Sequence, residues 1–236
     1  GGGDHIQVGW DGPGLGGPVT IGGQYLRTLF DIENPLPGTA NDTLNVTTVG
    51  VTAGTTAGGD VLYDAGAGLT QDQPIVGNGF ELLADTPIAL QNVNNDVNTI
   101  AADVGGSLHF VDADDLAIGT VGYTAGLTAT GDVTLDVGTT LTQTDPIVAP
   151  GLEIIAGSAT LEDTGNDVDT IAANVGGTIS FVDADDLLVG TVGGTSGITA
   201  VGDVSLDVGT DLAQTQPIDA PGLEIRIAEL EPGVTL

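Results

Sequence analysis

Val133-Thr134-Leu135-Asp136-Val137 alternates apolar and polar residues with a period of two, and so do Leu152-Glu153-Ile154 and Ile179-Ser180-Phe181. Each run is bounded by Gly, Asp, Asn or Pro. Alternation over a few residues between such breakers is the mark of a half-buried strand whose successive side chains point to opposite faces. No apolar pattern of helical period interrupts these runs. The chain predicts short strands of about three to six residues, joined by tight turns, including a Pro-bearing turn at 146–150.

The pattern repeats. GDVTLDVGTTLTQTDPIVAPGLEI at 131–154 returns as GDVSLDVGTDLAQTQPIDAPGLEI at 202–225, with 19 of 24 positions identical, and an earlier version, GDVLYDAGAGLTQDQPIVGNGFEL, stands at 59–82. Likewise NDVNTIAADVGGSLHFVDADDLAIGTV (95–121) recurs as NDVDTIAANVGGTISFVDADDLLVGTV (166–192), and TLNVTTVGVTAG (43–54) matches DLAIGTVGYTAG (115–126). One unit of 71–72 residues is thus written almost three times, over about 43–94, 95–165 and 166–236. A fixed period of this kind is the signature of a repeat architecture.

Composition narrows the architecture. Gly occupies 39 positions and aromatic residues only 3% of the chain, with Val, Ile, Leu, Ala and Thr making up most of the rest. Helices are disfavoured by this mixture. Tandem small β-sandwich domains are the alternative, but sandwiches of this kind carry bulky core residues and about 100 residues each. A right-handed parallel β-solenoid (β-helix) needs only a narrow core of Val, Ile, Leu and Ala, and its coils follow one another without linkers. The expected fold is therefore an all-β solenoid with about three coils per unit. Residues 1–42, which hold Trp10, Tyr25, Phe30, Arg27 and four prolines, read as an N-terminal capping or joining segment. The chain opens on Gly1-Gly2-Gly3 without Met, as a processed product or a piece of a longer protein does.

Stretches such as NDVDTIAANVGGTISFVDADDLLVGTV followed by GDVSLDVGTDL resemble the repeats of filamentous-haemagglutinin-type exoproteins and giant bacterial surface adhesins, over about residues 43–225. The resemblance implies a parallel β-helix in an extracellular or cell-surface protein. It implies a structural role as the shaft or subunit of a filament, fibre or surface layer, or alternatively an adhesin segment that binds a glycan or protein on another surface. The family brings no catalytic residues with it.

Charge changes the list of partners. The chain carries 33 Asp and Glu against two Arg and no Lys, a formal net charge of −31. Nucleic acid and anionic lipid both need clustered cations and are excluded as partners. No run approaches the length of an apolar membrane span, so no membrane insertion is expected. There is no Cys, hence no disulfide and no thiolate chemistry. The same acidity is what life in high salt favours.

Candidate chemistry is sparse. The turn VDADD occurs twice and offers Asp112, Asp114, Asp115, Asp183, Asp185 and Asp186 as Ca²⁺ ligands, since hard cations take several carboxylate and carbonyl oxygens at one turn. Repeated acidic turns would stack into a row of such sites. The same residues equally serve solvated turns by bonding local backbone. No other cofactor is indicated. Asn95 and Asn166 open matching strands and read as turn formers, with a polar ladder between coils as the alternative. His109 aligns with Ser180 and reads as a surface residue. Asn41 and Asn45 fit the glycosylation sequon, which a Thr-rich chain also produces by chance. A polysaccharide lyase or hydrolase needs cations or an unrepeated pair of acids in a cleft, and the acids here are repeated, so no enzyme is expected. Thr140, Thr142 and Thr144 do not recur as a ladder suited to ice. The strand edge at LEIRIAELEPGVTL should pair, end to end with another copy or with the continuation of a longer chain.

Overall fold

The computed structural model describes residues 29–30, 44–46, 48–49, 52–66 and 68–228. All of the regular structure among them is β. The segment expected to cap or join at 1–42 lies outside the described residues, apart from the strand Leu29–Phe30.

Two columns of nine strands alternate along the chain. One holds Leu44–Val46, Leu69–Gln71, Ile88–Leu90, Leu108–Asp112, Val133–Val137, Ile147–Ala156, Asp167–Val175, Leu187–Val189 and Leu212–Gln214. The other holds Val61–Ala65, Ile75–Ala84, Asp96–Val104, Leu116–Ile118, Thr140–Gln143, Ser158–Leu161, Ile179–Asp183, Val204–Val208 and Leu223–Ile227. Each strand pairs in parallel with the next of its column, as in Leu108↔Val133, Val133↔Leu152 and Leu152↔Ile171, except that Leu69–Gln71 lies beside Ile88–Leu90 without a strand pairing. Most of these strands belong to one 21-stranded sheet, whose pairings are all parallel. The antiparallel sheets of tandem sandwiches are not what the chain builds. Repeated parallel circuits are consistent with a β-solenoid, and one circuit between aligned residues forms a rung. From Val61–Ala65 to Leu223–Ile227 there are eight circuits, a height of about 40 Å at the usual strand spacing.

Register puts like upon like. Leu116, Leu141, Ala159, Ile179, Val204 and Leu223 stand one above another, and the first five are buried. The opposite column contributes Ile88, Leu108, Val133, Leu152, Ile171 and Val189, each at most 2% exposed. Small and medium apolar side chains suffice because the two columns face each other across a narrow core. Phe80, Phe110 and Phe181 are the largest of the fully buried side chains among the described residues. Phe80 stacks on Phe110 with ring centroids 5.8 Å apart and meets the edge of Tyr63 at 5.5 Å.

Two features depart from the sequence reading. Ile75–Ala84 and Ile147–Ala156 are ten residues long, and the second runs straight through Ala149-Pro150-Gly151, where a turn is expected. Ala149 pairs with Val168 and Gly151 with Thr170, while Pro150 makes no pair. The missing N–H of Pro150 therefore falls where the ladder asks for none. The unit is also not three coils. Gly79 aligns with Glu224 after seven circuits, close to two periods of the sequence repeat, so one period spans about three and a half.

That half circuit decides where three small hairpins emerge. They are antiparallel pairs at 48–53, 120–125 and 191–196. The first and third leave the column of Leu44 and Val189, and the second leaves the column of Ile118.

Truncating Phe110, fully buried between Leu90 and Leu135 in its column, is expected to cost about 3–5 kcal/mol, the usual price for a core aromatic. Val93, 70% exposed, is the control. Val93→Ala should change stability by less than about 0.5 kcal/mol in the same urea titration.

Candidate functional site

The two VDADD turns are neither simple solvated loops nor a stacked row. Asp112 and Asp183 are each 2% exposed. Asp112 accepts the Val97 N–H at 3.1 Å and the Asp114 N–H at 3.2 Å. Asp183 accepts the Val168 N–H at 3.0 Å and the Asp185 N–H at 3.3 Å. Burial pushes both carboxyls up to about 6, opposed by these bonds and reinforced by neighbouring acids. Asp115 receives the hydroxyl of Thr139 and the N–H of Thr140 in the following rung, the second at 3.0 Å, and its pKa is lowered by those bonds. Asp186 does the same with Thr210 and Asp211. Asp114 and Asp185 are exposed.

The residue aligned with Asp112 in the next rung is Val137, and with Asp183 it is Val208. The expected stacking of acidic turns is therefore overturned by register, because the turns recur every three and a half circuits. Among the described residues, no group of three or more His, Asp or Glu side chains is gathered so as to hold a metal ion.

Asn95 and Asn166 do more than form turns. Both are fully buried. Asn95 Oδ1 accepts the Ile75 N–H at 2.9 Å and its Nδ2 donates to the Val111 carbonyl at 3.0 Å. Asn166 repeats this with Ile147 and Val182, both at 2.9 Å. Gln71 and Gln143 complete the two networks. Each amide thus satisfies backbone groups at the corner between rungs, where the strand ladder leaves them without a partner. His109 sits on the outward face as expected, its Nδ1 2.7 Å from Gln91 Nε2. Asn41 lies outside the described residues.

The feature that the sequence did not single out is the way the hairpins fasten to the outer wall. Hairpin 120–125 leaves the rung above Ile100–Ala102. Its neck is closed by Gly126 N–H donating to the Gly119 carbonyl at 3.0 Å. Its turn has Gly122 at φ +62°, the left-handed value that the first turn position of a type II′ hairpin requires. From there the hairpin folds back over outward-facing Ala101, which it leaves 0% exposed, to Glu81. The Tyr123 N–H and the Thr124 hydroxyl both donate to Glu81 Oε1, at 3.1 and 2.8 Å.

Hairpin 191–196 repeats the arrangement over Ala172 and Glu153. Gly194 N–H donates to Glu153 Oε1 at 2.9 Å, and the Thr134 hydroxyl donates to Oε2 at 2.9 Å. Glu81 and Glu153 are each 4% exposed. In both cases a valine of the hairpin settles on a glycine. A Cβ on Gly79 would lie 2.8 Å from Val121 Cγ1, and one on Gly151 would lie 3.0 Å from Val192 Cγ1. The result is a strap secured by two contacts, an apolar one on glycine and a charge-assisted one on glutamate.

One further stretch of wall has the same residues with no hairpin over it among the described residues. Gly222 and Glu224 stand where Gly151 and Glu153 stand one unit earlier. A groove of about 290 Å³ opens there, lined by Thr178, Ser180, Asp203, Ser205, Gly222 and Glu224 among others. Glu224 is held instead by Arg226 at 2.7 Å, both side chains more than half exposed. No helix among the described residues is long and apolar enough to cross a membrane.

No family model matches the chain, and neither a curated protein nor a solved structure matches it.

Two tests follow from these sites. Glu153→Ala leaves the Gly194 amide without its acceptor, a loss of about 1.5–3 kcal/mol for a bond to a charged group. Hydrogen exchange should quicken at Gly194 by at least about tenfold while amides of the Ile171 rung stay protected. For Asp112 and Asp183 the pKa lies above the ordinary carboxyl value, so the folded state holds protons that the unfolded state has released. Stability from these groups is full below about pH 4 and is lost as pH rises through about 6. In thermal melts, Asp112→Asn with Asp183→Asn should flatten the pH dependence across that interval.

Proposed function

We propose that this chain is a right-handed parallel β-solenoid of about three tandem 71–72-residue units, serving as the stiff shaft or subunit of an extracellular filament, fibre or surface layer. The observation that carries the proposal is the parallel register that continues from Val61–Ala65 through Leu223–Ile227. Each rung is bonded to the one before it through backbone, and the described wall is built from repeated structural elements. Apart from Asp60, which accepts from the Asn78 amide, and Glu224, paired with Arg226, the acids with defined partners bond to backbone or hydroxyl groups within the wall, as parts of a scaffold do. A role of this kind is mechanical: bending or stretching the rod must break many backbone hydrogen bonds together.

The acidic coat fits the same role. A net charge of −31 keeps rods apart at low ionic strength, and salt that screens it lets their ends meet. Extracellular or cell-surface placement is supported by the likeness of the repeats to surface exoproteins. Polymerisation end to end supplies a partner for the last described strand, Leu223–Ile227, whose residues are all exposed.

Negative-stain images and small-angle scattering across a concentration series at high ionic strength test this reading. The expected outcome is a rod of fixed width that lengthens with concentration. Particles that stay compact and unassembled at every concentration would contradict it.

A further inference from the structure

A ladder pairing joins adjacent rungs, whereas each strap reaches one rung further. Glu81 lies one circuit below Ala101. Hairpin 120–125 is inserted one circuit above Ala101, between Ile118 and Leu127, which stand over Ile100 and Ala102. Its tip therefore bonds a residue two rungs away, 42 and 43 positions earlier in sequence. Hairpin 191–196 sits in the same way between Val189 and Ile198, over Ala172, and reaches back 41 positions to Glu153.

The half circuit in the repeat places these two straps on opposite faces, the first on the column of Ile100 and Ile118, the second on that of Ile171 and Val189. The Thr134 hydroxyl carries the second strap one rung further down through Glu153 Oε2. Thr134 belongs to the circuit that runs from Ile118 to Gln143, directly after the first hairpin, so the two spans meet there. From Glu81 to Gly197 the stack is spanned by one strap or the other.

We propose that the straps are clasps that tie next-but-one rungs together on alternate faces, so that this part of the shaft opens in two blocks instead of rung by rung. The inference deepens the mechanical reading above and rests on it for the purpose that the clasps serve.

A stack coupled only between neighbours can lose its rungs singly. A clasp opposes this in two ways. While Glu153 holds Gly194, chain that opens between them is a loop fixed at both ends, and it gains less conformational entropy than a free end does. Breaking the clasp also uncovers Ala172, 0% exposed, and takes from Glu153, 4% exposed, a donor that its covered carboxylate needs. The ladder is undisturbed by the insertions. Gly197 N–H donates to the Gly190 carbonyl at 2.7 Å, as Gly126 does to Gly119 at 3.0 Å, and past each neck the strand resumes in register. A rod braced on one face alone would open on the other when bent. Alternate faces resist bending in both senses.

Neck geometry supplies the experiment. Deleting 191–197 leaves Val189-Gly190-Ile198 to continue the strand as Ile171-Ala172-Ala173 does one rung earlier. Hydrogen exchange is followed amide by amide against urea at low ionic strength, where the net charge keeps copies apart. In the unmodified protein, Asp167–Val175 and the rung above it, Leu187–Val189 with Ile198–Ala200, should share one opening. The deletion should separate them, with the upper rung exchanging about tenfold faster or more, the factor that goes with a hydrogen bond to a charged group. Asp96–Val104 and Leu116–Ile118, under the other strap, should not change. Glu153→Ala with Val192→Ala removes both strap contacts from the full chain and should give the same separation, which serves where the deletion does not fold. Rungs that already exchange independently in the unmodified protein, or that still share one opening in the double variant, would overturn the clasp. Assembly is read separately: if rods never form at high ionic strength while the two blocks are seen, the shaft falls and the clasp stands.

Discussion

Parallel backbone pairing between one circuit and the next is the constraint on which everything else in this chain depends. Because each strand stacks in register on its predecessor, an inward residue always meets the inward residue of the neighbouring rung, and an outward residue meets an outward one. A column such as Leu116, Leu141, Ala159, Ile179 and Val204 has to be apolar at every level. The facing column lies close across the core, so the side chains also have to be small. The scarcity of aromatic residues and the abundance of Val, Ile, Leu and Ala follow from this geometry. So does the placement of Asn95 and Asn166 at corners, where the ladder breaks and buried backbone groups need another partner.

Acids are spent differently on the two sides of the wall. Outside, they are free to face water and give the rod its charge. A few are drawn inward or beneath cover, and each of these has a specific backbone donor. Asp112 and Asp183 receive N–H groups from the neighbouring strand and from their own turn. Glu81 and Glu153 receive those of a hairpin tip. Covering a carboxylate is costly without such donors, and this explains why the hairpins end in a tight glycine turn that presents amide groups. The strap and the glutamate make sense only together.

Much of the fold was legible in the sequence, because period-two alternation and a repeat at 71–72 residues report inward positions directly. Val133, Leu135 and Val137 fall inside as their alternation requires, and the repeat excluded a single irregular domain. What the sequence did not expose were relations between distant rungs. Ala101 and Ala172 face outward yet are buried by hairpins, and an Ala beside an inward Ile reads simply as strand. Gly79 and Gly151 read as turn residues, whereas their lack of a Cβ admits a valine that follows some forty residues later. The acidic turns looked like a repeated cation site because the sequence period was taken as a whole number of circuits. At three and a half circuits the turns fall on alternating columns, and no row forms. A usable signal was present in the hairpin motif itself, since TVGYT and TVGGT each follow a Gly-x-Glu triplet by about forty residues, at Gly79–Glu81 and at Gly151–Glu153.

Distances along one outward column test the central claim most directly. Ala117, Thr142, Thr160, Ser180, Ser205 and Glu224 align one rung apart. Spin labels at Ala117 and, in turn, at Ser180, Ser205 and Glu224 span three, four and five rungs. Pulsed dipolar spectroscopy should return backbone separations of about 14, 19 and 24 Å, a constant step of about 4.8 Å. Separations that do not grow in equal steps, or that jump by a domain's width between Ser180 and Glu224, would contradict the stacked register.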